Sequence, residues 1–316
     1  GGMFVAIAGQ TADGHDFMHQ ALKRGAAAIV TQKEPPQPFL NELMAASPNN
    51  RPIIIRVPNT RIALADLAVR FFDHPSQRMT LIGITGTNGK TTVAYLIESI
   101  LLQAGFKVGV IGTINYHYGD KTFANPMTTP ESLDLQSILS HMQRDGATHV
   151  VAEASSHAMD LYRIKNCWFD VAAFTNLSQD HLDFHGDMQS YWSSKKRLFT
   201  EYLSGGPKKD SASAVFNCND ARGRELADSL PMPVVRTGSA RDCEIRSENI
   251  QSNLNGTNGK VAGPGGSFSF KTPLVGAHNV ENILSAVGVA TALEIASDTI
   301  KAGIEGLSVI PGRLES

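Results

Sequence analysis

The sequence predicts an α/β protein in two parts. A small N-terminal α/β domain is expected over residues 1–76, and a larger domain over 77–316 on a mostly parallel sheet with a small antiparallel subsheet. Three observations predict it. From residue 79 onward short apolar runs alternate with helix-period segments, the mark of a parallel sheet covered on both faces. A glycine-rich turn at 86–92 follows the apolar run Leu81, Ile82, Ile84. Residues 243–275 are rich in Gly, Asn and Ser, with two-residue alternation such as Ser267-Phe268-Ser269-Phe270, which suits short antiparallel strands.

Taken in order, residues 3–8 form an apolar strand. The polar turn Gln10-Thr11-Ala12-Asp13-Gly14-His15-Asp16 leads into a helix through Phe17, Ala21 and Leu22, which Gly25 stops. Ala26 to Val30 make a second strand, Pro35-Pro36-Gln37-Pro38 a surface loop, and Ile53-Ile54-Ile55 a third strand. Asn59 or Thr60 caps a helix through Leu64, Leu67, Ala68 and Phe71, which ends at His74-Pro75 because proline disfavours helix in the residue before it. The domain boundary is therefore expected near Ser76. In the larger part, strands are expected at 79–85, 107–111, 148–154 and 170–175, with 213–217 and 233–236 near the far edge. Asn279 to Ala296 reads as a long helix and 298–305 as a short one. Gly1-Gly2 runs straight into the first strand, so upstream residues are expected to be missing.

Composition narrows the function. The 316 residues suit two domains, each with its own core. A net charge of −2 and a pI near 6.6, with no basic run, argue against a nucleic-acid partner. Cys167, Cys218 and Cys243 are odd in number and lack C-x-x-C spacing, so reduced core thiols of a cytoplasmic protein are expected. Apolar runs fall well short of the roughly 20 residues a membrane helix needs, and no signal peptide is visible, so no membrane partner is expected.

The stretch Gly86-Thr87-Asn88-Gly89-Lys90-Thr91-Thr92 is read as a phosphate cradle. Gly86 and Gly89 let the backbone turn its N–H groups onto an anion, and the apolar spacing Val93, Leu96, Ile97, Ile100, Leu101 starts a helix whose positive end faces it. Lys90 would reach the β/γ-phosphates and Thr91 would hold Mg²⁺. The strict Walker pattern is not met, since its first glycine would fall at Ile84, so the strand before and the helix after carry the reading against a plain Gly-rich turn. The string recurs at Gly256-Thr257-Asn258-Gly259-Lys260 without those neighbours: no apolar strand leads in, Val261 replaces the hydroxyl, and Gly263-Pro264-Gly265-Gly266 follows. That copy is expected to be a hairpin or loop tip.

In open parallel sheets ligands gather beyond the carboxyl ends of the strands. The strand 148–152 runs into Glu153, a hard oxygen ligand suited to Mg²⁺, although a solvated strand-end carboxylate is the plain alternative. The next strand runs into Thr175-Asn176-Leu177-Ser178-Gln179-Asp180-His181-Leu182-Asp183-Phe184-His185. His181 and His185 have H-x-x-x-H spacing, but no third zinc ligand declares itself, so one histidine beside a second Mg²⁺ or Mn²⁺ is the better reading.

Further strings complete a pattern: N-P-M-T-T-P at 125–130, E-A-S-S-H at 153–157, N-L-S-Q-D-H-L-D-F-H-G at 176–186, Y-x-x-x-K at 191–195, H-N-V-E-N at 278–282 and P-G-R-L-E at 311–315. With G-T-N-G-K-T-T they span nearly the whole chain in the order found in the Mur ligases, which this sequence resembles. D-G-H-D-F at 13–17, then Q-A and G-A-A-A-I, resembles the uridine-binding domain of the family member that adds the third residue of the peptidoglycan stem peptide.

The resemblance implies a uridine-nucleotide-substrate domain followed by a P-loop ATPase domain, with ATP and Mg²⁺ or Mn²⁺ as cofactors. The implied partners are UDP-MurNAc-L-Ala-D-Glu and a diamino acid, and the chain is expected to be a monomer. It implies that Gly86 to Thr92 hold the phosphates with Lys90, that Thr91 and Glu153 hold the first Mg²⁺, and that His181 holds the second. It makes Lys195 a lysine carbamylated by CO₂, with Lys196 as a solvated neighbour. An ammonium about 4 Å from a divalent ion would be repelled by roughly 8 kcal/mol at an effective dielectric of about 20, whereas a carbamate is an anionic ligand. By the same comparison Asn279, Asn282 and Arg313 fall on the nucleotide side, Thr128, Thr129, Ser156 and Arg163 hold the UDP-muramoyl peptide, and Gln10, Thr11 and Ala12 lie near its phosphates.

The family carries a third, Rossmann-like domain after the G-R-x-E segment, where this chain ends, so the acceptor domain is expected to be absent and the chain ligation-incompetent. Diaminopimelate is the expected acceptor. A lysine-adding homologue, a folylpolyglutamate-type synthetase and a non-catalytic nucleotide-binding partner remain alternatives.

Overall fold

The computed structural model describes residues 2–9, 12–48 and 51–307. The chain divides into two compact units, Gly1–Arg70 and Phe71–Ser316. Ser76, where the sequence places the boundary, lies a few residues further on, in the short 3-10 turn Pro75–Gln77.

The first unit is a three-stranded parallel sheet, β1 (Met3–Val5), β2 (Ala28–Thr31) and β3 (Ile53–Arg56), in that spatial order. Its helices are α1 (Met18–Lys23), α2 (Gln37–Ala45) and α3 (Thr60–Phe71). Ala6, Met18, Leu22, Ile29 and Phe39 form its core. Helix α2 begins inside the Pro-rich stretch expected to be a loop, because a proline in the first turn has no N–H to leave unpaired. Asn59 caps α3 as expected: its Oδ1 accepts from Arg61 N at 2.9 Å and Ile62 N at 3.1 Å. The helix ends before Pro75, with Asp73 and His74 in the left-handed region at φ 59° and 52°.

The second unit holds an 11-stranded sheet. Its elements run β4 (Thr80–Thr85), α4 (Lys90–Gln103), β5 (Val108–Ile111), β6 (Asn115–Tyr118), β7 (Lys121–Ala124), α5 (Ser132–Arg144), β8 (His149–Glu153), α6 (Ser156–Asp160), β9 (Val171–Phe174), α7 (Leu182–His185) and α8 (Met188–Arg197). They continue with β10 (Ser213–Asn217), α9 (Ala221–Ser229), β11 (Val234–Gly238), β12 (Ile245–Asn253), β13 (Gly256–Gly263), β14 (Gly266–Thr272), α10 (Ala277–Ala292) and α11 (Ser297–Gly306). The spatial order is β14-β13-β12-β11-β10-β9-β4-β8-β5-β6-β7. β5, β8, β4, β9, β10, β11 and β12 are parallel neighbours, and the edges are antiparallel.

The two-residue period divides each central strand between two cores. Ile82, Ile84, Val171, Ala173 and Val215 face α4, α10 and α11 on one side, while Leu81, Ala172, Phe174, Ala214 and Phe216 join the cluster on the other. The expected antiparallel strands at 243–275 are β12 to β14, and they continue the main sheet. The second G-T-N-G-K string is strand β13 itself, leaving a hairpin turn in register with β12 and β14. Among the described residues no helix is long and apolar enough to cross a membrane.

Candidate functional site

Strand β4 lies between β8 and β9, so the chain passes from β4 through α4 to one side of the sheet and from β8 to β9 across to the other. The crevice at such a reversal is where an open α/β sheet binds its ligand. Four strand ends meet there: Thr85-Gly86, Glu153, Phe174-Thr175 and Asn217.

The loop after β4 is shaped by two glycines in the left-handed region. Gly86 has φ 146°, and a Cβ there would lie 1.9 Å from Thr175 Oγ1; Gly89 has φ 85°, and its Cβ would lie 2.2 Å from Asn282 Oδ1. The loop is also pinned from the β9 side. Thr87 N donates to Asn176 O at 2.8 Å, Asn88 N to Asn176 Oδ1 at 3.0 Å, and Thr175 Oγ1 to Asn88 O at 2.6 Å. Thr87 Oγ1 donates to Ser178 O at 3.1 Å and lies 3.2 Å from the Tyr191 hydroxyl. The loop is thus preformed, with α4 starting at Lys90 and its N-terminal dipole directed into the crevice. Lys90 folds back over the loop, donating to Gly86 O at 3.0 Å and Thr87 O at 2.8 Å.

Glu153 is buried at the end of β8, 1% exposed. Its Oε1 accepts from Thr91 Oγ1 at 2.9 Å and Thr113 N at 3.1 Å, and its Oε2 from Thr113 Oγ1 at 2.9 Å. The Thr91 proton therefore points at the carboxylate and the hydroxyl lone pairs are left for another partner. A buried acid with an adjacent hydroxyl, beside the glycine-shaped loop at the start of α4, is a donor set that fits Mg²⁺, which takes one or two protein oxygens and completes its shell from phosphates and water. Among the described residues no group of three or more His, Cys, Asp or Glu is placed to hold a metal by itself.

Lys195 is also 1% exposed, with Nζ donating to Gly86 O at 2.7 Å and lying 4.3 Å from the centre of the Tyr191 ring. Burial first, and then the charge of Lys90, hold its ammonium well below the ordinary lysine range. Lys196 is exposed. The His181 side chain is half exposed, with its ring centroid 4.8 Å from that of His157 and 6.1 Å from that of Tyr191. Both nitrogens of His185 are engaged, Nε2 with Ser156 Oγ at 2.9 Å and Nδ1 with Asp160 Oδ2 at 3.2 Å, which removes it from a zinc pair with His181. Burial lowers the pKa of both His157 and His185.

The 125–131 loop closes on the same strand end. Thr129 Oγ1 donates to Glu153 O at 2.8 Å, Thr128 Oγ1 lies 3.1 Å from Thr113 Oγ1, and Arg163 bonds Glu131 Oε1 at 2.9 Å and Thr129 O at 3.2 Å. Asn282 lies against Gly89, and its Nδ2 donates to Asn279 Oδ1 at 3.1 Å. Ala12, in the first unit, accepts from Gly9 N at 3.0 Å; Gln10, Thr11 and Arg313 lie outside the described residues.

Sequence reasoning missed three contributors. Thr113 lies two residues past the end of β5, and Asn217 ends β10, with Nδ2 donating to Thr175 O at 2.8 Å and Glu281 Oε2 at 3.0 Å. Tyr191 had its signal in the Y-x-x-x-K spacing. The cysteines are buried, with the thiols of Cys167 and Cys218 pushed up to about 12, so they are inert core groups.

Residues 84–290 match the model of the Mur ligase middle domain, and residues 1–72 that of the Mur ligase family, catalytic domain. A curated UDP-N-acetylmuramoyl-L-alanyl-D-glutamate--2,6-diaminopimelate ligase of Geobacter sulfurreducens is 42% identical over 315 residues, covering 100% of this chain and 60% of that protein. This chain thus spans about 60% of the length of such relatives. A solved structure of a ligase of that name superposes with a TM-score of 0.82 at 26% identity, over 98% of this chain and 61% of the other. A Mycobacterium tuberculosis folylpolyglutamate synthase complexed with ADP shares the fold, with a TM-score of 0.66 at 20% identity over 80% of this chain and 63% of that one. With the middle-domain match covering more than half its length, the chain belongs to the Mur ligase family.

Proposed function

We propose that this chain supplies the UDP-substrate and ATP sites of a ligase that adds meso-diaminopimelate to UDP-MurNAc-L-Ala-D-Glu, in the cytoplasm and as a monomer. The observation that carries it is the convergence of Lys90, Thr91, Glu153 and Lys195 on one preformed phosphate loop. The match of residues 1–72 favours this reading over a folate ligase, since the likeness to the folylpolyglutamate synthase covers a smaller share of the chain and is one of fold alone.

In this reading the loop N–H groups and Lys90 hold the β- and γ-phosphates of ATP, and the substrate carboxylate attacks the γ-phosphorus to give an acyl phosphate and ADP. The amine of the diamino acid then displaces phosphate. Two Mg²⁺ or Mn²⁺ ions would neutralise charge spreading over the transferring phosphoryl group, one held by Thr91 and Glu153 and the other by His181 and Lys195. Lys195 suits carbamylation because burial disfavours its protonated form: in the neutral amine the nitrogen lone pair bonds to the carbon of CO₂ and one N–H proton leaves to solvent. Thr128, Thr129, Ser156 and Arg163, with Gln10, Thr11 and Ala12, are assigned to the UDP-substrate, and Asn279, Asn282 and Arg313 to the nucleotide.

Binding tests the reading, because the chain is shorter than its relatives. ATP with Mg²⁺, and UDP-MurNAc-L-Ala-D-Glu, should each raise the melting temperature, a ligand at 100 times its Kd adding about 2.7 kcal/mol, while folates do not. Protection by a folate, or by neither nucleotide, overturns it. Mass spectrometry with ATP, UDP-dipeptide and either diaminopimelate or L-lysine separates the two acceptors in the full-length enzyme.

A further inference from the structure

Asp160, at the end of α6, gathers three side chains from two other helices. Its Oδ2 accepts from Ser194 Oγ at 2.6 Å and lies 3.2 Å from His185 Nδ1, and its Oδ1 faces Arg197 NH1 at 3.5 Å. Arg197 NH1 also donates to Met159 O at 2.8 Å, tying the same turn of α8 to the same end of α6. Ser194 and Arg197 bracket Lys195 on that turn. On the far side of the carboxylate, His185 reaches Ser156 Oγ at 2.9 Å, three positions after Glu153. Ser156, the His185 side chain and Ser194 are all buried and Asp160 is half-buried, so the chain of contacts from Ser156 through His185 and Asp160 to Ser194 is a clamp between α6, α7 and α8.

We propose that Asp160 is the positioning residue for Lys195: through Ser194, His185 and Arg197 it fixes the α8 turn against α6 so that the Lys195 nitrogen stays at the phosphate loop, at a set place relative to Glu153. The inference deepens the function proposed above, which gives Lys195 its chemical role. The physical ground is that a long, flexible lysine side chain is held in one place only if its Cα is. Here one half-buried carboxylate with charge-assisted bonds supplies that restraint. The polar contacts of Asp160 are with Ser194, His185 and Arg197, so it acts on Lys195 through them.

Lysine acylation mapped by mass spectrometry tests this without any ligand. In the wild type Lys195 should be protected, with exposed Lys196 as the internal reference and Lys208, tied to Asp170 at 2.6 Å, as a distant control. Asp160→Ala and Ser194→Ala should each raise Lys195 labelling relative to Lys196 by roughly tenfold, as loss of a bond to a charged group predicts. Asp160→Asn, which keeps an acceptor for Ser194, should restore most of the protection, and Lys208 should not change. Unchanged Lys195 labelling in Asp160→Ala, or a parallel rise at Lys208, overturns the proposal. With Mg-ATP added, wild-type protein that binds no nucleotide would sink the functional reading and leave the labelling ratio to decide the clamp.

Discussion

Lys90 and Lys195 donate to one and the same acceptor: the carbonyl oxygen of Gly86 lies 3.0 Å from one Nζ and 2.7 Å from the other. Two lysines that meet at one oxygen repel each other, and the more buried one yields its charge more readily. That asymmetry fits the separate roles proposed for them, Lys90 toward phosphates and Lys195 toward CO₂.

Lys90→Ala is expected to weaken ATP binding by roughly 10- to 100-fold, the range for bonds to a charged group, and to leave folding intact. Lys260→Ala, in the twin string on β13, should leave ATP binding unchanged. Calorimetric titration of both variants checks the pair; equal losses would remove the distinction between the two strings.

Replacing Lys195 should reveal the cost of burying it. An unfolded lysine keeps its proton to about pH 10.5, while in the folded chain burial lowers that value. Between the two pKa values the unfolded chain holds more protons, so this group makes stability rise with pH, and its cost is full below the window. Lys195→Met should therefore be more stable than the parent at neutral pH in CO₂-free buffer, with the gain shrinking toward pH 10.5. Urea unfolding across that range measures it; a constant difference would contradict the assignment.

Gly86→Ala should cost about 1–3 kcal/mol, since a Cβ meets Thr175 Oγ1 on a left-handed backbone. Gly105→Ala is the control, with φ 84° and nothing within 4 Å of the added carbon. It bears the backbone strain alone, so the difference between the two melting curves isolates the contact.

Glu153→Gln preserves shape and removes the charge. ATP affinity in Mg²⁺ should fall by roughly tenfold or more while affinity in EDTA stays level, because the lost interaction is with the metal. Equal losses in both buffers would mean that Glu153 serves only to hold Thr91 and Thr113.

The parallel-sheet class, and the strand–turn–helix around Gly86 that its twin on β13 lacks, were legible in the sequence alone, since each rests on local chemistry: glycines where φ is positive, an apolar strand before, a helix period after. It also marked Glu153 by its place at a strand end, and the resemblance to the Mur ligases marked Lys195. It did not yield the β6–β7 hairpin, whose second strand is exposed along its length and so lacks an apolar face to read. Nor did it yield Thr113, Asn217 or Asp160, because each acts on a partner about 30 or more positions away. Only the tertiary structure decided that Lys195 shares an oxygen with Lys90 across more than a hundred residues, and that His185 spends both nitrogens on Ser156 and Asp160. The reason is physical: a periodic pattern records which face of an element is buried, whereas hydrogen-bond partners and desolvation exist only once separate elements have packed together.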